Sequence, residues 1–185
     1  MGKYKIDKGN ILISQPFLGD PNFERSVVLL CEHNETGTFG FVLNQLTELS
    51  IKQVWEGHAF SDIPVYIGGP VEQNTLHFIH RLNGIIEDGV EISKGLFWGG
   101  DYEQVKSLIN LGNIQPNDIR FFLGYSGWSP NQLEREMEDK AWIISQTNSS
   151  FIFDTPSDQF WRSILKNMGG KHKMLANYPI DPRLN

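Results

Sequence analysis

Residues 26–43 read Ser26-Val27-Val28-Leu29-Leu30-Cys31-Glu32-His33-Asn34-Glu35-Thr36-Gly37-Thr38-Phe39-Gly40-Phe41-Val42-Leu43. The apolar run Val27–Cys31 has strand length, and β-branched and aromatic residues dominate both halves of the segment. Glu35-Thr36-Gly37 supplies turn chemistry between them, so Ser26–His33 and Thr38–Leu43 read as the two arms of a hairpin. Gly40 falls inside the second arm, where a glycine marks a bulge or a close backbone approach. On the N-terminal side, Ile11–Ile13 reads as a strand, set off by the turn Gly19-Asp20-Pro21-Asn22. On the C-terminal side, Pro64–Ile67, Leu76–Leu82, Asp118–Tyr125, Trp142–Ser145 and Ser150–Phe153 complete the predicted strands.

Helices fall between the strand clusters. Ser50 with Gln53 opens Ile51–Trp55, stopped by Gly57. Asp101 caps a helix through Leu111, with Val105, Leu108 and Ile109 on one face and Gly112 beyond its end. In Ser129-Pro130-Asn131-Gln132, the Ser129 hydroxyl and the Gln132 amide form a capping box with Pro130 as first helical residue. Leu133 and Met137 then face inward, and Glu136 pairs with Lys140 on the outside. Thr155-Pro156-Ser157-Asp158 opens a last helix whose apolar side is Phe160, Trp161, Ile164, Leu165 and Met168, ended by Gly169. Clustered strands with isolated helices predict a single α+β domain over residues 1–185. The tail, 171–185, has two prolines and little periodicity and is expected to be extended or mobile.

The 185 residues carry 16 Lys+Arg against 22 Asp+Glu, a net charge of −6. That balance disfavours direct binding to nucleic acid or to an anionic membrane surface. A single cysteine excludes an internal disulfide framework. The stretch MGKYKIDKGN lacks the apolar segment of a secretory signal, and Ile6 breaks the myristoylation pattern. No window approaches the roughly 18 apolar residues of a membrane span. A soluble cytoplasmic protein is the expectation.

Three constellations invite a chemical reading. Cys31 and His33 share a strand face and would make a thiolate nucleophile or half a metal site only if the strand bends. The bland reading makes Cys31 a small buried hydrophobe. His77 and His80 form an H-x-x-H, but on a strand the two rings point to opposite faces, which excludes a local two-histidine clamp. Gly124-Tyr125-Ser126-Gly127 superficially resembles a nucleophile elbow, yet Trp128 stands where a glycine is required, so Ser126 reads as a turn residue. No cofactor-binding motif is present; no catalytic residue, metal or cofactor is expected.

Four blocks, in order, resemble the AlgH/YqgE family of bacterial proteins. They are Leu12–Pro16 with Asp20–Val28 and Glu32-His33; Gly37–Asn44; Gly68-Gly69-Pro70-Val71 followed by Leu76–His80; and Leu123–Glu134 with Trp142. Thr75 stands where the family pattern often has a basic residue, and Asn131 where it usually has glycine. The resemblance implies a compact α+β domain with a branched, partly barrel-like mixed sheet and surrounding helices. The family name reflects a link to transcriptional control, and no enzymatic activity is settled for it.

The leading functional expectation is a non-catalytic regulatory or binding module acting through an unidentified small ligand or a protein partner. Its candidate binding residues are Asp20, Arg25, Glu32, His33, Asn44, His80, Tyr125, Trp128 and Gln132. The alternative is a hydrolase or thiol-dependent enzyme built on Cys31, His33 and His80. A further alternative is a DNA-binding transcriptional regulator, against which the acidic charge and the lack of a basic recognition helix both weigh.

Overall fold

The computed structural model describes residues 5–55 and 61–180; the predicted helix stop at Gly57 and tail residues 181–185 lie outside them. The chain runs β1 (Asn10–Ser14), β2 (Val27–Asn34), β3 (Gly37–Val42), β4 (Leu46–Ser50), α1 (Ile51–Val54), β5 (Pro64–Ile67), β6 (Val71–His80), β7 (Val90–Ser93) and β8 (Leu96–Trp98). There follow α2 (Tyr102–Asn110), β9 (Ile119–Trp128), α3 (Gln132–Glu138), β10 (Trp142–Gln146), α4 (Ser149–Asp154), a 3-10 turn (Ser157–Gln159), α5 (Phe160–Met168) and α6 (Gly170–Leu175).

Among the described residues the strands form one ten-stranded sheet whose main path is β10-β1-β2-β3-β9-β6-β8-β7 and does not close. Its pairings are antiparallel except β5 against β9, which is parallel. The fold is α+β and the sheet is mixed and branched, as expected. The branch point is β9. Its first half pairs with β5 and β6, while Ser126–Trp128 pair with β3. Gly124 allows this change of neighbours: it has φ 68°, and a Cβ there would stand 2.6 Å from the Val71 carbonyl oxygen.

Both faces of the β1–β2–β3 hairpin region are covered. Ile11, Ile13, Val27, Leu29, Cys31 and Phe41 pack with Ile152, Phe160, Trp161, Ile164 and Leu165 of α4 and α5. Leu12, Val28, Leu30 and Val42 pack on the other side with Trp128, Leu133, Trp142 and Ile144. This two-sided burial is the physical reason for the unbroken run Val27–Cys31. A third cluster joins Ile51, Val65, Phe78, Val105, Ile109 and Phe121 beneath α1 and α2.

Several expectations need correction. Residues 149–154 are helical rather than a strand: Asn148 caps the segment, its side chain accepting from Phe151 N–H at 2.9 Å, and Ile152 and Phe153 are buried. The tail is not extended throughout, because Gly170–Leu175 forms α6. Helix α3 begins at Gln132, not at Pro130. The Gln132 side chain does accept from Ser129 N–H at 3.0 Å, but the return bond runs from Gln132 N–H to the Ser129 carbonyl rather than to its hydroxyl. Asn131 precedes the helix with φ 60°, a left-handed conformation that glycine and asparagine adopt most readily. Ser126 lies inside β9, fully buried, its hydroxyl donating to the Gly68 carbonyl at 3.0 Å, so it is not a turn residue. Strands β4, β7 and β8 had no counterpart in the sequence reading. No helix among the described residues is long and apolar enough to cross a membrane.

Candidate functional site

A groove of about 410 Å³ opens where the turn of the β2–β3 hairpin meets the second half of β9 and the start of β6. Register creates it: Thr38 pairs with Trp128, Phe39 with Gly127, and Val71 with Tyr125. Glu32, Thr38, Phe39, Tyr125, Trp128 and Ser129 are on its wall. Gly37 is pressed against β9, since a Cβ there would come within 2.5 Å of the Trp128 carbonyl oxygen. Phe39 is wedged edge-on between the rings of Trp98 at 4.7 Å and Tyr125 at 6.2 Å, so the aromatic wall is preset by packing. Glu32 supplies a carboxylate, and it accepts from the Asn34 amide at 2.6 Å.

The structure thus brings Glu32, Tyr125 and Trp128 of the expected residues to one groove. His33 sits behind it, its Nδ1 at 2.7 Å from the Thr38 hydroxyl and its Nε2 3.7 Å from Glu134. Gln132 is the first residue of the adjoining α3, where it also donates to Glu136 at 2.9 Å. The remaining expected residues lie elsewhere. Asn44 follows the far end of β3; it accepts from Val27 N–H at 2.9 Å and donates to the Arg25 carbonyl at 2.9 Å, tying two loops together. Arg25 donates to the Tyr178 carbonyl and lies 4.9 Å from the Trp161 ring centroid. Asp20 closes a local turn on Asn22.

The thiol–histidine constellation does not assemble. Cys31 is 2% exposed, within the core, and burial pushes its thiol well up. His33 is paired through Thr38 to Trp128 at one end of β9, whereas His80 pairs with Ile119 at the other. His80 is 1% exposed, its Nε2 on the Gly99 carbonyl at 3.0 Å and its Nδ1 accepting from Leu82 N–H at 3.2 Å. That arrangement fixes the neutral Nε2–H form, and burial holds the group below its ordinary pKa. His77 instead meets the Thr75 hydroxyl at 2.9 Å and packs against Phe41 and Tyr125.

Sequence reasoning missed the residue that fixes one side of the groove. Glu136 accepts from the indole N–H of both Trp128, at 2.9 Å, and Trp142, at 2.8 Å. It does not extend outward to Lys140, which has φ 59° and stands beyond the helix end. A helix-surface charge pair and a buttress for two indoles carry the same residue letters; only the β9–α3–β10 packing separates them.

Comparison with known proteins places this geometry in a family. The AlgH-like family model matches residues 11–173. A UPF0301 protein of Cytophaga hutchinsonii is 50% identical over 181 residues, covering 97% of this chain and 100% of the relative. A UPF0301 protein of Chlorobium phaeobacteroides is 42% identical over 181 residues, 98% of this chain and 97% of the relative. The solution structure of the AlgH protein from Pseudomonas aeruginosa superposes with a TM-score of 0.75 at 28% identity, covering 97% of this chain and 98% of that one. The crystal structure of a Corynebacterium diphtheriae protein shares the fold, with a TM-score of 0.79 at 23% identity over 96% of this chain and 95% of that one. With its model match, its relatives and its fold in agreement, the chain belongs to the AlgH-like family.

Proposed function

We propose that the protein is a non-catalytic binding module, acting in the cytoplasm in a regulatory role, that holds a small polar ligand in the groove between the hairpin turn and β9. The observation that carries this reading is the groove itself. Its volume of about 410 Å³ falls in the usual range for small-molecule sites, roughly 300–1,000 Å³. Its wall combines ring faces, hydroxyls and one carboxylate, which favours a planar ligand with a cationic or N–H-donating edge. Burial of Cys31 and Ser126 and the separation of His33 from His80 argue for binding rather than for nucleophilic chemistry. Direct DNA binding is the weaker reading, because the net charge is −6 and the groove presents Glu32.

Amide-resolved NMR titration with adenosine, cytidine and agmatine tests the reading. Saturable shifts at Gly37, Tyr125, Gly127 and the Trp128 indole are expected with at least one probe, and Glu32→Gln should weaken that binding roughly tenfold, as loss of a charged hydrogen bond does. Binding confined to another surface, or affinity unchanged in both Glu32→Gln and Tyr125→Ala, overturns it.

A further inference from the structure

Strand β9 carries a cation into the core. Arg120 is 6% exposed, between Ile119 and Phe121. Its guanidinium donates through Nη1 to the Leu43 carbonyl at 2.8 Å, and its Cζ lies 4.7 Å from the Tyr66 ring centroid and 5.7 Å from that of Phe160. No carboxylate among the described residues forms an ion pair with it. A buried guanidinium has five N–H donors and is costly to leave without a counter-charge. Here one donor is anchored and the aromatic rings lie against the group, so it is held in a set orientation.

Arg120 is also on the wall of a cavity of about 360 Å³, with Tyr66, Asn117, Ser157, Asp154 and Asp158. This space is separate from the groove described above. A preset guanidinium group belonging to a residue on the wall of a polar cavity matches a planar, two-oxygen anion, which such a group binds through parallel hydrogen bonds. Charge narrows the class further. Asp154 is matched by Arg81 at 3.2 Å. Asp158 is exposed and has no ion pair among the described residues. One buried cation with an acid at the rim suits a monoanion bearing a nearby ammonium group and disfavours a phosphate dianion.

We infer that this cavity is a binding site for a small α-amino acid, its carboxylate on Arg120 and its ammonium group toward Asp158. The inference stands independently of the groove.

The test is NMR of the full chain, following the Arg120 Nε–Hε signal and the amides of Asn117 and Ser157 during titration with L-alanine, acetate and inorganic phosphate. L-alanine should produce saturable shifts there while leaving Gly37 and Trp128 unmoved. Asp158→Asn, an exposed change that spares the core, should weaken L-alanine roughly threefold, as a rim ion pair does, and leave acetate unaffected. Absence of any saturable shift at Arg120, a response to phosphate alone, or L-alanine affinity unchanged in Asp158→Asn overturns the assignment. Arg120→Lys is a second variant wherever it keeps the wild-type amide spectrum, and it should lose L-alanine binding at least tenfold because an ammonium cannot offer the two-pronged geometry; retained affinity in that folded variant counts against the site.

Discussion

At the scale of single residues, the groove depends on a carboxylate that does not line it. Glu136 satisfies two indole N–H groups at once, Trp128 from β9 and Trp142 from β10. Replacing it with alanine leaves both donors without their partner in a largely buried setting. Glu136→Ala should therefore lower stability by about 2–4 kcal/mol, and Glu136→Gln by less because an amide oxygen still accepts. Urea unfolding followed by tryptophan emission checks this, and equal losses in the two variants would count against the double acceptor. Arg120 was also passed over in the sequence, although a signal was there: a lone cation in Ile119-Arg120-Phe121-Phe122-Leu123 contradicts its apolar surroundings. Glu136 offered no such signal, since every neighbour in sequence suits a solvent-facing helix.

At the scale of elements, the hairpin was legible because its two glycines and its apolar arms serve one geometric demand. Opposite Gly40 the register slips between Leu30 and Glu32, so Cys31 occupies a bulge. A Cβ on residue 40 would stand 2.0 Å from the Leu29 carbonyl oxygen. No rotamer relieves a backbone clash of that size. Gly40→Ala should cost at least about 3 kcal/mol, at the upper end of overpacking effects, and differential scanning calorimetry reads it directly as a large fall in midpoint or as no transition. An alanine variant with the wild-type midpoint would contradict the pairing.

Elements that were missed share a different property. Strand β4 is largely exposed and does not alternate, whereas β7 does alternate and β8 is an apolar triplet, but at four and three residues each they are too short to stand out. The first half of β6, Val71-Glu72-Gln73-Asn74-Thr75, fell outside the predicted strand Leu76–Leu82 because it is polar, and its register against β9 is irregular. Phe151-Ile152-Phe153 failed the other way: a short apolar triplet fits either secondary structure, and Asn148 decides it by capping. The candidate site was half legible. Glu32, Tyr125 and Trp128 converge through register, whereas Asp20, Arg25 and Asn44 sit in the same sequence blocks for reasons of loop geometry.

At the scale of the whole molecule, proton binding and stability are linked through the histidines. Burial holds His77, His80 and His172 below the ordinary value of 6.5. The unfolded chain then binds protons more readily than the folded one. Stability is complete above the unfolded pKa and declines as pH falls through it toward the folded values. The urea midpoint should drop between about pH 7.5 and about pH 5, with a slope of at most about 1.4 kcal/mol per pH unit for each histidine. His80→Gln, which keeps a donor for the Gly99 carbonyl, should flatten the curve, and a profile independent of pH in this range would refute the linkage.

The pairing of β1 with β10 has a consequence for how the chain is made. Asn10–Ser14 lie between β2 and β10, and the Trp161 indole closes over them by donating to the Ser14 carbonyl at 2.9 Å. Strand β1 therefore waits, during synthesis, for β10 and α5, more than a hundred residues further along the chain. Until residues 142–165 have emerged, the hairpin of Val27–Val42 has one uncovered apolar face and one unpaired edge at β1. Completion of this edge and face is therefore a late step, and during that wait the nascent chain offers apolar strands to any chaperone that binds extended segments.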